Sequence, residues 1–389
     1  MGVLVINFDS VGDTVFQEMA KDREQYPNVA KFMGDSFFQG GIKTVFVSNT
    51  YPVHTSVSTG KLPKDHGVIS NYRMPNKKGE RSWAQMAHYI TAKTIWDAAK
   101  EKKLTTAAFL WPVTCGAKID YHVPEVHPEK GQSLLVRSLM YGSIFFQLSS
   151  IAKYRRDLIA ALKGMAQKSS GQPALDNFTT SASCDALKKK KPDLTLVHLL
   201  AYDTEFHYGG SECPELLTAK KSLDENLGRL LKNCSPKDTV IVFSDHSQLD
   251  VYQNINLNDL YSGAFFDQAG GSAFAIKPAQ SILMGLEKEP WFSRYLSKEE
   301  LKESGYENKA LFGIAAKAGF CFTDGIGYKG NHGYPSDYEN YQVFYAVKGK
   351  NFTKGNTQPW LKKRITDVTA IIARELELDM DILAEYGVR

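Results

Sequence analysis

The sequence predicts an α/β fold with a mostly parallel central sheet, flanked by helices and carrying an inserted cap, on three observations. Short apolar runs such as Val3–Phe8 and Leu194–Leu200 lack a clean polar alternation, as strands buried on both faces do. They alternate with segments of helical periodicity, the order that builds parallel sheets. The rhythm then breaks between residues 113 and 185, where a long helical pattern intervenes.

Taken in order, Val3–Phe8 is the first strand and Val45–Val47 a short second one. The helical pattern around Thr94–Glu101 precedes a strand at Thr105–Leu110, and a helix ending in Lys188–Lys191 and Pro192 precedes Leu194–Leu200. The helix Leu216–Leu231 leads to Thr239–Phe243; Gln342–Val347 is a late strand and Arg364–Leu378 a C-terminal helix. Within the break, Val136, Met140, Ile144 and Leu148 recur every four residues and predict one helix packed on the core. A membrane-surface helix is disfavoured there because the segment has no lysine-rich polar face. The expected division is a catalytic core of residues 1–112 and 186–389, with a helical cap at 113–185. The Gly- and aromatic-rich stretch Asp250–Lys329 is expected to wrap the site.

Composition narrows the class. At 389 residues, 43 % hydrophobic and 23 % charged, the chain is neither disordered nor fibrous. Lys and Arg total 47 against 43 Asp and Glu, and a net charge of +4 over this length gives no coat for a nucleic-acid polymer. Cys115, Cys184, Cys213, Cys234 and Cys321 are scattered and never form a CxxC pair, which predicts reduced thiols. The longest nearly uncharged stretch, Arg137 to Lys153, is too short for a membrane span. With no basic leader followed by a cleavage site, a cytoplasmic location is expected. Nothing in the chain predicts its oligomeric state.

The chemistry-bearing residues follow strands, where ligands bind in open α/β sheets. Asp9 ends the first strand; taken alone it reads first as a helix cap. Asp203 and His207 follow Leu194–Leu200, four apart and so on one helical face, a pairing that suits a hydrogen bond as well as a metal. Asp245-His246 ends another strand, and His332 sits in Gly330-Asn331-His332-Gly333-Tyr334. Three carboxylates and three imidazoles make six oxygen or nitrogen ligands, enough for two zinc ions at about three protein ligands each, with Mn²⁺ the rival ion. Two ions about 3.5–4 Å apart clamp the attacking and leaving oxygens of a phosphoryl group. Thr50 stands at a helix N-terminus, where dipole and free N–H groups favour an alkoxide. A plain cap is the other reading of Thr50, and Thr55 or Ser56 could compete as nucleophile. His54 and His66 read as structural.

These pieces resemble the alkaline phosphatase superfamily, and its nucleotide pyrophosphatase/phosphodiesterase branch most. The resemblance rests on Phe8-Asp9, Asn49-Thr50-Tyr51-Pro52, the run Ser58-Thr59-Gly60-Lys61-Leu62-Pro63-Lys64-Asp65-His66-Gly67-Val68-Ile69-Ser70-Asn71, then Trp111-Pro112, Pro192-Asp193, Asp203 with His207, Ser244-Asp245-His246 and Gly330 to Tyr334, in family order. It implies one zinc held by Asp203, His207 and His332, and a second held by Asp9, Asp245 and His246. It further implies Thr50 as the nucleophile touching the second zinc, and Asn71 as donor to a phosphoryl oxygen. Trp111 would contact substrate on the leaving side, a place in the core being its other reading. The implied activity is hydrolysis of phosphodiester or pyrophosphate bonds in nucleotides or related small molecules through a phosphothreonine. Phosphonoacetate hydrolysis is the alternative, and a metal-dependent binding protein that has lost catalysis the reading from another class. Val53 and Ser247 depart from the branch, which usually has Asn and Gly there, and no phosphate-gripping arginine is identifiable; Arg73 is the nearest to the nucleophile block.

Overall fold

A computed structural model describes residues 2–75, 81–166, 170–277, 285–325 and 327–387. The strands are β1 (Val3–Phe8), β2 (Phe37–Ile42), β3 (Thr106–Phe109), β4 (Tyr121–Val123), β5 (Leu194–Leu199), β6 (Thr239–Phe243), β7 (Leu249–Ile255), β8 (Phe265–Gln268), β9 (Ser272–Lys277), β10 (Phe292–Tyr295), β11 (Phe312–Ala316), β12 (Gly319–Phe322), β13 (Gly330–Asn331) and β14 (Val343–Lys348). The central sheet runs β2-β14-β6-β1-β5-β3-β4. From β6 to β4 every pairing is parallel, while β14 pairs antiparallel with both β6 and β2. The predicted mostly parallel sheet is therefore present.

Helices cover both faces: α1 (Asp13–Lys21), α2 (Pro27–Asp35), α3 (Thr50–Thr59), α4 (Pro63–His66), α5 (Ile95–Glu101), α6 (Leu134–Tyr141), α7 (Ile144–Ala166), α8 (Ala174–Lys189), α9 (Ala201–Gly209), α10 (Glu215–Leu231), α11 (Leu257–Leu260), α12 (Lys298–Glu303), α13 (Asp367–Glu375) and α14 (Asp381–Glu385). α3, α5 and α13 pack their apolar side chains on one sheet face with Val5, Leu196 and Phe243. α1, α2, α8 and α10 cover the other with Ile6, Val197 and Val242. Alternate residues of each strand thus enter opposite cores, which is why the strands lack polar alternation. No helix among the described residues is long and apolar enough to cross a membrane.

Three expectations are corrected. Val45–Val47 is irregular; the strand of that region is β2, an antiparallel edge. The C-terminal helix is shorter than expected, at Asp367–Glu375, because the chain turns at Arg364 and Glu377, which has a positive φ of 51°. The pattern through Val136 and Leu148 is two helices, α6 and α7, broken at Gly142 and Ser143. A Cβ on Gly142 would lie 2.6 Å from Pro124 Cδ and 2.7 Å from the His122 carbonyl oxygen, so the chain passes too closely there for a side chain. The outward side of these helices is not core, since Val136, Met140, Ile144 and Leu148 are all exposed.

The segment 113–185 does not stand apart from the core. Its β4 pairs with β3 at the sheet edge, and Phe178, Ala182 and Ala186 of α8 lie in the core. Of its helices, α6 and α7 form the outermost layer. The stretch Asp250–Lys329, of which 278–284 and 326 lie outside the described residues, builds a four-stranded sheet (β10-β11-β9-β8) and contributes β7 and β12 to a three-stranded one (β12-β7-β13).

Candidate metal centre and active site

Strand order explains why ligand-type side chains converge. β6, β1 and β5 are neighbours in one parallel register, with Phe8 beside Leu199 and Asn7 beside Phe243. Their carboxyl ends are level. Asp9 leaves β1, α9 carries Asp203 and His207 away from β5, and Asp245 and His246 leave β6. His332 follows β13, which pairs with β7 just beyond β6. Thr50 is the first residue of α3, so its N–H has no acceptor within the helix.

Two groups of ligand atoms result, each with members within 4.8 Å of one another: Asp9, Asp245 and His246, and Asp203, His246 and His332. His207 borders the second, its Nε2 3.4 Å from Asp203 Oδ1 and its ring 5.1 Å from that of His332. All six side chains singled out in the sequence are thus in one place, with His246 between the two groups. Thr50 Oγ1 lies 3.2 Å from His246 Nε2.

The donor set fits divalent cations. Asp9 Oδ1 and Asp245 Oδ2 are buried with no hydrogen-bond partner among the described residues, and they lie 3.6 and 3.2 Å from His246 Nε2. Bare buried carboxylate oxygens are costly unless a cation faces them. Each candidate histidine has its Nδ1 engaged: His207 by the Gly330 carbonyl at 2.8 Å, His246 by Ser10 Oγ at 3.0 Å and His332 by Asn49 Oδ1 at 2.8 Å. That leaves Nε2 for the site and fixes each ring, as partners of metal-ligating histidines do. Burial, reinforced by the charges of Asp203 and Asp245, pushes the Asp9 carboxyl well above the usual carboxylate range. Burial, reinforced by His246 and His207, holds His332 well below the usual histidine range, in the neutral form that ligation requires.

Several supporting residues escaped the sequence reading. His198, inside β5, bonds Asp9 Oδ2 through Nε2 at 2.9 Å and the Leu110 carbonyl through Nδ1 at 3.0 Å. Its signal was a polar side chain in a strand otherwise buried on both faces, where every polar group needs a partner. Gln248 Nε2 donates to Asp203 Oδ1 at 2.5 Å and to Ser10 Oγ at 3.0 Å. Asn71 accepts the Tyr51 N–H at 2.9 Å through Oδ1, so its NH₂ is the end left for a ligand. It lines a cleft with Tyr72, Trp83, Tyr328, His207 and His332.

Trp111, expected to meet substrate, is instead fully buried behind α3. Its Nε1 donates to Ser58 Oγ at 3.0 Å and its ring meets His54 edge-on. The aromatic groups of the cleft are Tyr72, Trp83, Phe322 and Tyr328. His54 donates to the Thr50 carbonyl and His66 bonds Ser56 Oγ, structural roles as expected. Arg73 is held by Tyr89.

Fold and site together define an α/β protein with a candidate divalent-metal centre at the carboxyl ends of its parallel strands. The chain belongs to the type I phosphodiesterase/nucleotide pyrophosphatase family, whose model matches residues 3–334. It is 21 % identical over 369 residues to the venom phosphodiesterase CdcPDE of Crotalus durissus collilineatus, covering 85 % of this chain and 39 % of that protein. It is 23 % identical over 360 residues to the bis(5'-adenosyl)-triphosphatase enpp4 of Mus musculus, covering 85 % and 69 %. The chain therefore spans about two fifths of the length of the venom enzymes it matches. Among solved structures it is similar to the inactive, threonine-to-alanine form of murine ectonucleotide pyrophosphatase/phosphodiesterase 5 in complex with AMP, with TM-score 0.68, 17 % identity and coverage of 97 % and 95 %. Phosphonoacetate hydrolase from Sinorhizobium meliloti gives TM-score 0.65 at 15 % identity, covering 96 % of each chain.

Proposed function

We propose that this chain is a two-zinc nucleotide phosphodiesterase/pyrophosphatase acting through a phosphothreonine on Thr50, with Mn²⁺ the alternative metal. The observation that carries the reading is Thr50 Oγ1 at the N-terminus of α3, 3.2 Å from His246 Nε2, beside two groups of carboxylates and imidazoles. Asp203, His207 and His332 would hold one ion and Asp9, Asp245 and His246 the other. When bound, such ions supply the positive charge that lowers a hydroxyl pKa and neutralises a leaving oxygen. Thr50 Oγ then attacks phosphorus as its proton passes to water in the cleft, and the bond from phosphorus to the leaving oxygen breaks, that oxygen departing on the alcohol or nucleotide fragment. Asn71 and the Thr50 N–H stabilise the charge developing on the phosphoryl oxygens. Water subsequently cleaves the Thr50 Oγ–phosphorus bond and restores the hydroxyl.

The substrate class is read from the cleft. Tyr72, Trp83 and Tyr328 offer aromatic faces of the kind on which a base stacks. A nucleotide also agrees with the AMP complex and the dinucleotide-cleaving relative. Phosphonoacetate would need a cation for its carboxylate, yet the described lining contains no Lys or Arg. Arg81, stacked beneath Tyr72, is already engaged by Asp267 and Asp324. The complete donor set and intact Thr50 argue against a catalytically dead binding protein. The test is Thr50→Ala assayed with bis(p-nitrophenyl) phosphate: turnover falls at least about a thousandfold while Thr50→Ser keeps a measurable rate. An alanine variant as fast as the parent rules out the covalent route.

A further inference from the structure

α7 is anchored by one side only. Its inner side buries Gln147, Ser150 and Ala161 and packs Phe146, Ile151, Tyr154 and Leu158 on the core behind β4 and α8. Its outer side carries a second apolar set among its charged residues. Phe145 is 90 % exposed, and Ile144 and Leu148, one turn apart, stand beside it; Ile159 and Leu162 continue the exposed stripe beyond the kink at Tyr154. α6 adds Val136 and Met140, the latter 61 % exposed. A surface helix normally turns its apolar stripe inward, and a contiguous outward patch of this kind marks an interaction face.

The expectation of a core-packed helix without a basic face is corrected here, since exposed cations flank the patch, and their charge says what covers it. From Lys130 to Lys163 the chain holds six basic side chains and one acidic one, Asp157, an excess larger than the +4 of the whole chain. Arg155, Arg156 and Lys163 are exposed and form no ion pair among the described residues. Beside Phe145, a cleft of about 380 Å³ runs between Ile144, Ser149, Lys189 of α8, which pairs with Asp185, and Lys190 just after that helix, with Asp120 on its far wall. A second copy docked on this face would set like charges against each other. An anionic bilayer instead accepts aromatic and aliphatic tips into its interface and pairs the flanking cations with its headgroups.

We infer that the outer face of α6 and α7 is a peripheral docking surface for anionic lipid bilayers. Phe145, Ile144 and Leu148 enter the headgroup–acyl boundary, and Arg155, Arg156 and Lys163 contact lipid phosphates. The test is co-sedimentation of the full chain with vesicles of phosphatidylcholine alone and with about a third phosphatidylglycerol, at low and high salt. Binding to the phosphatidylglycerol vesicles exceeds that to phosphatidylcholine by roughly tenfold and weakens with salt. Phe145→Ser/Leu148→Ser loses binding to both vesicle types, whereas Arg155→Ser/Arg156→Ser loses only the preference for phosphatidylglycerol. Both variants keep the parent's melting temperature and diesterase turnover, because the face lies outside the catalytic machinery. No sedimentation with phosphatidylglycerol vesicles, equal binding to both compositions, or a dimer that Phe145→Ser dissociates without any effect on lipid binding overturns the inference.

Discussion

Ser10 occupies a left-handed backbone conformation, φ 63°, that a residue with a Cβ enters at a cost of about 1–2 kcal/mol. Its hydroxyl gives the position a purpose: Oγ is 2.7 Å from Asp203 Oδ1 and 3.0 Å from His246 Nδ1, so one side chain braces a member of each ligand group. Ser10→Ala keeps the backbone strain and removes only the brace. Zinc affinity, measured by competition with a chelating dye, should then fall roughly 10–100-fold with the urea midpoint little changed. Unchanged affinity would mean that Gln248 alone orients Asp203. The six ligand-type residues were legible in the sequence because each follows a strand or sits in a Gly-rich turn. Ser10, Asn49, His198 and Gln248 were not, because their role depends on partners that only the sheet pairing brings near: Asn49 and His332 are 283 residues apart. Trp111 was misplaced for the same reason, since its neighbour Ser58 comes from a helix packed under the sheet.

At the scale of elements, α8 holds the helix that presents Asp203 and His207. Buried Asp176 accepts the N–H of Leu200 at 3.0 Å and of Ala201 at 2.9 Å, capping α9 from a neighbouring helix. Burial pushes its carboxyl up to about 6, although both backbone donors favour the anion. Asp176→Ala leaves the buried Ala201 N–H and the half-buried Leu200 N–H without an acceptor, at about 1–3 kcal/mol each, so unfolding in urea should show a loss of roughly 2–6 kcal/mol. A loss under about 0.5 kcal/mol would show that α9 is held by packing alone. This cap crosses 24 positions, and no local pattern announces it. Local patterns did locate α5, where Thr94 and Asp97 form a capping box, and α10, whose apolar periodicity is long. They failed at Val45–Val47, where β-branched residues near the site meet no neighbouring strand, and at Gly142, where close approach to His122 and Pro124 breaks a continuous helical spacing.

Over the whole molecule, fold class was the most legible property, because β1, β3, β5 and β6, buried on both faces, share one apolar composition. The arrangement of layers was less so: α6 and α7 look like core helices until α8 is seen to occupy the place beneath them. At their root sits His122 on β4, fully buried, with Nε2 2.9 Å from Thr114 Oγ1 and Nδ1 without a partner among the described residues. Thr114 Oγ1 donates to the Trp111 carbonyl, so it accepts from His122, whose Nε2 carries the proton of a neutral ring. Burial holds His122 at about 3, and likewise His66, whereas an unfolded histidine titrates near 6.5. Between those values the unfolded chain binds the extra proton, so each histidine's contribution is present above pH 6.5 and is lost as pH falls toward 3, by about 1.4 kcal/mol per pH unit. Asp176 acts in the opposite sense between about 3.8 and 6, and bound metals add their own dependence, so the difference between two proteins is the cleaner measure. His122→Phe cannot take up a proton, and any packing cost of the larger ring is independent of pH. In urea unfolding at pH 7 and pH 5, the stability of His122→Phe relative to the parent should improve at the lower pH by about 2 kcal/mol. Parallel losses in the two proteins would mean that His122 reaches solvent and accepts its proton without unfolding.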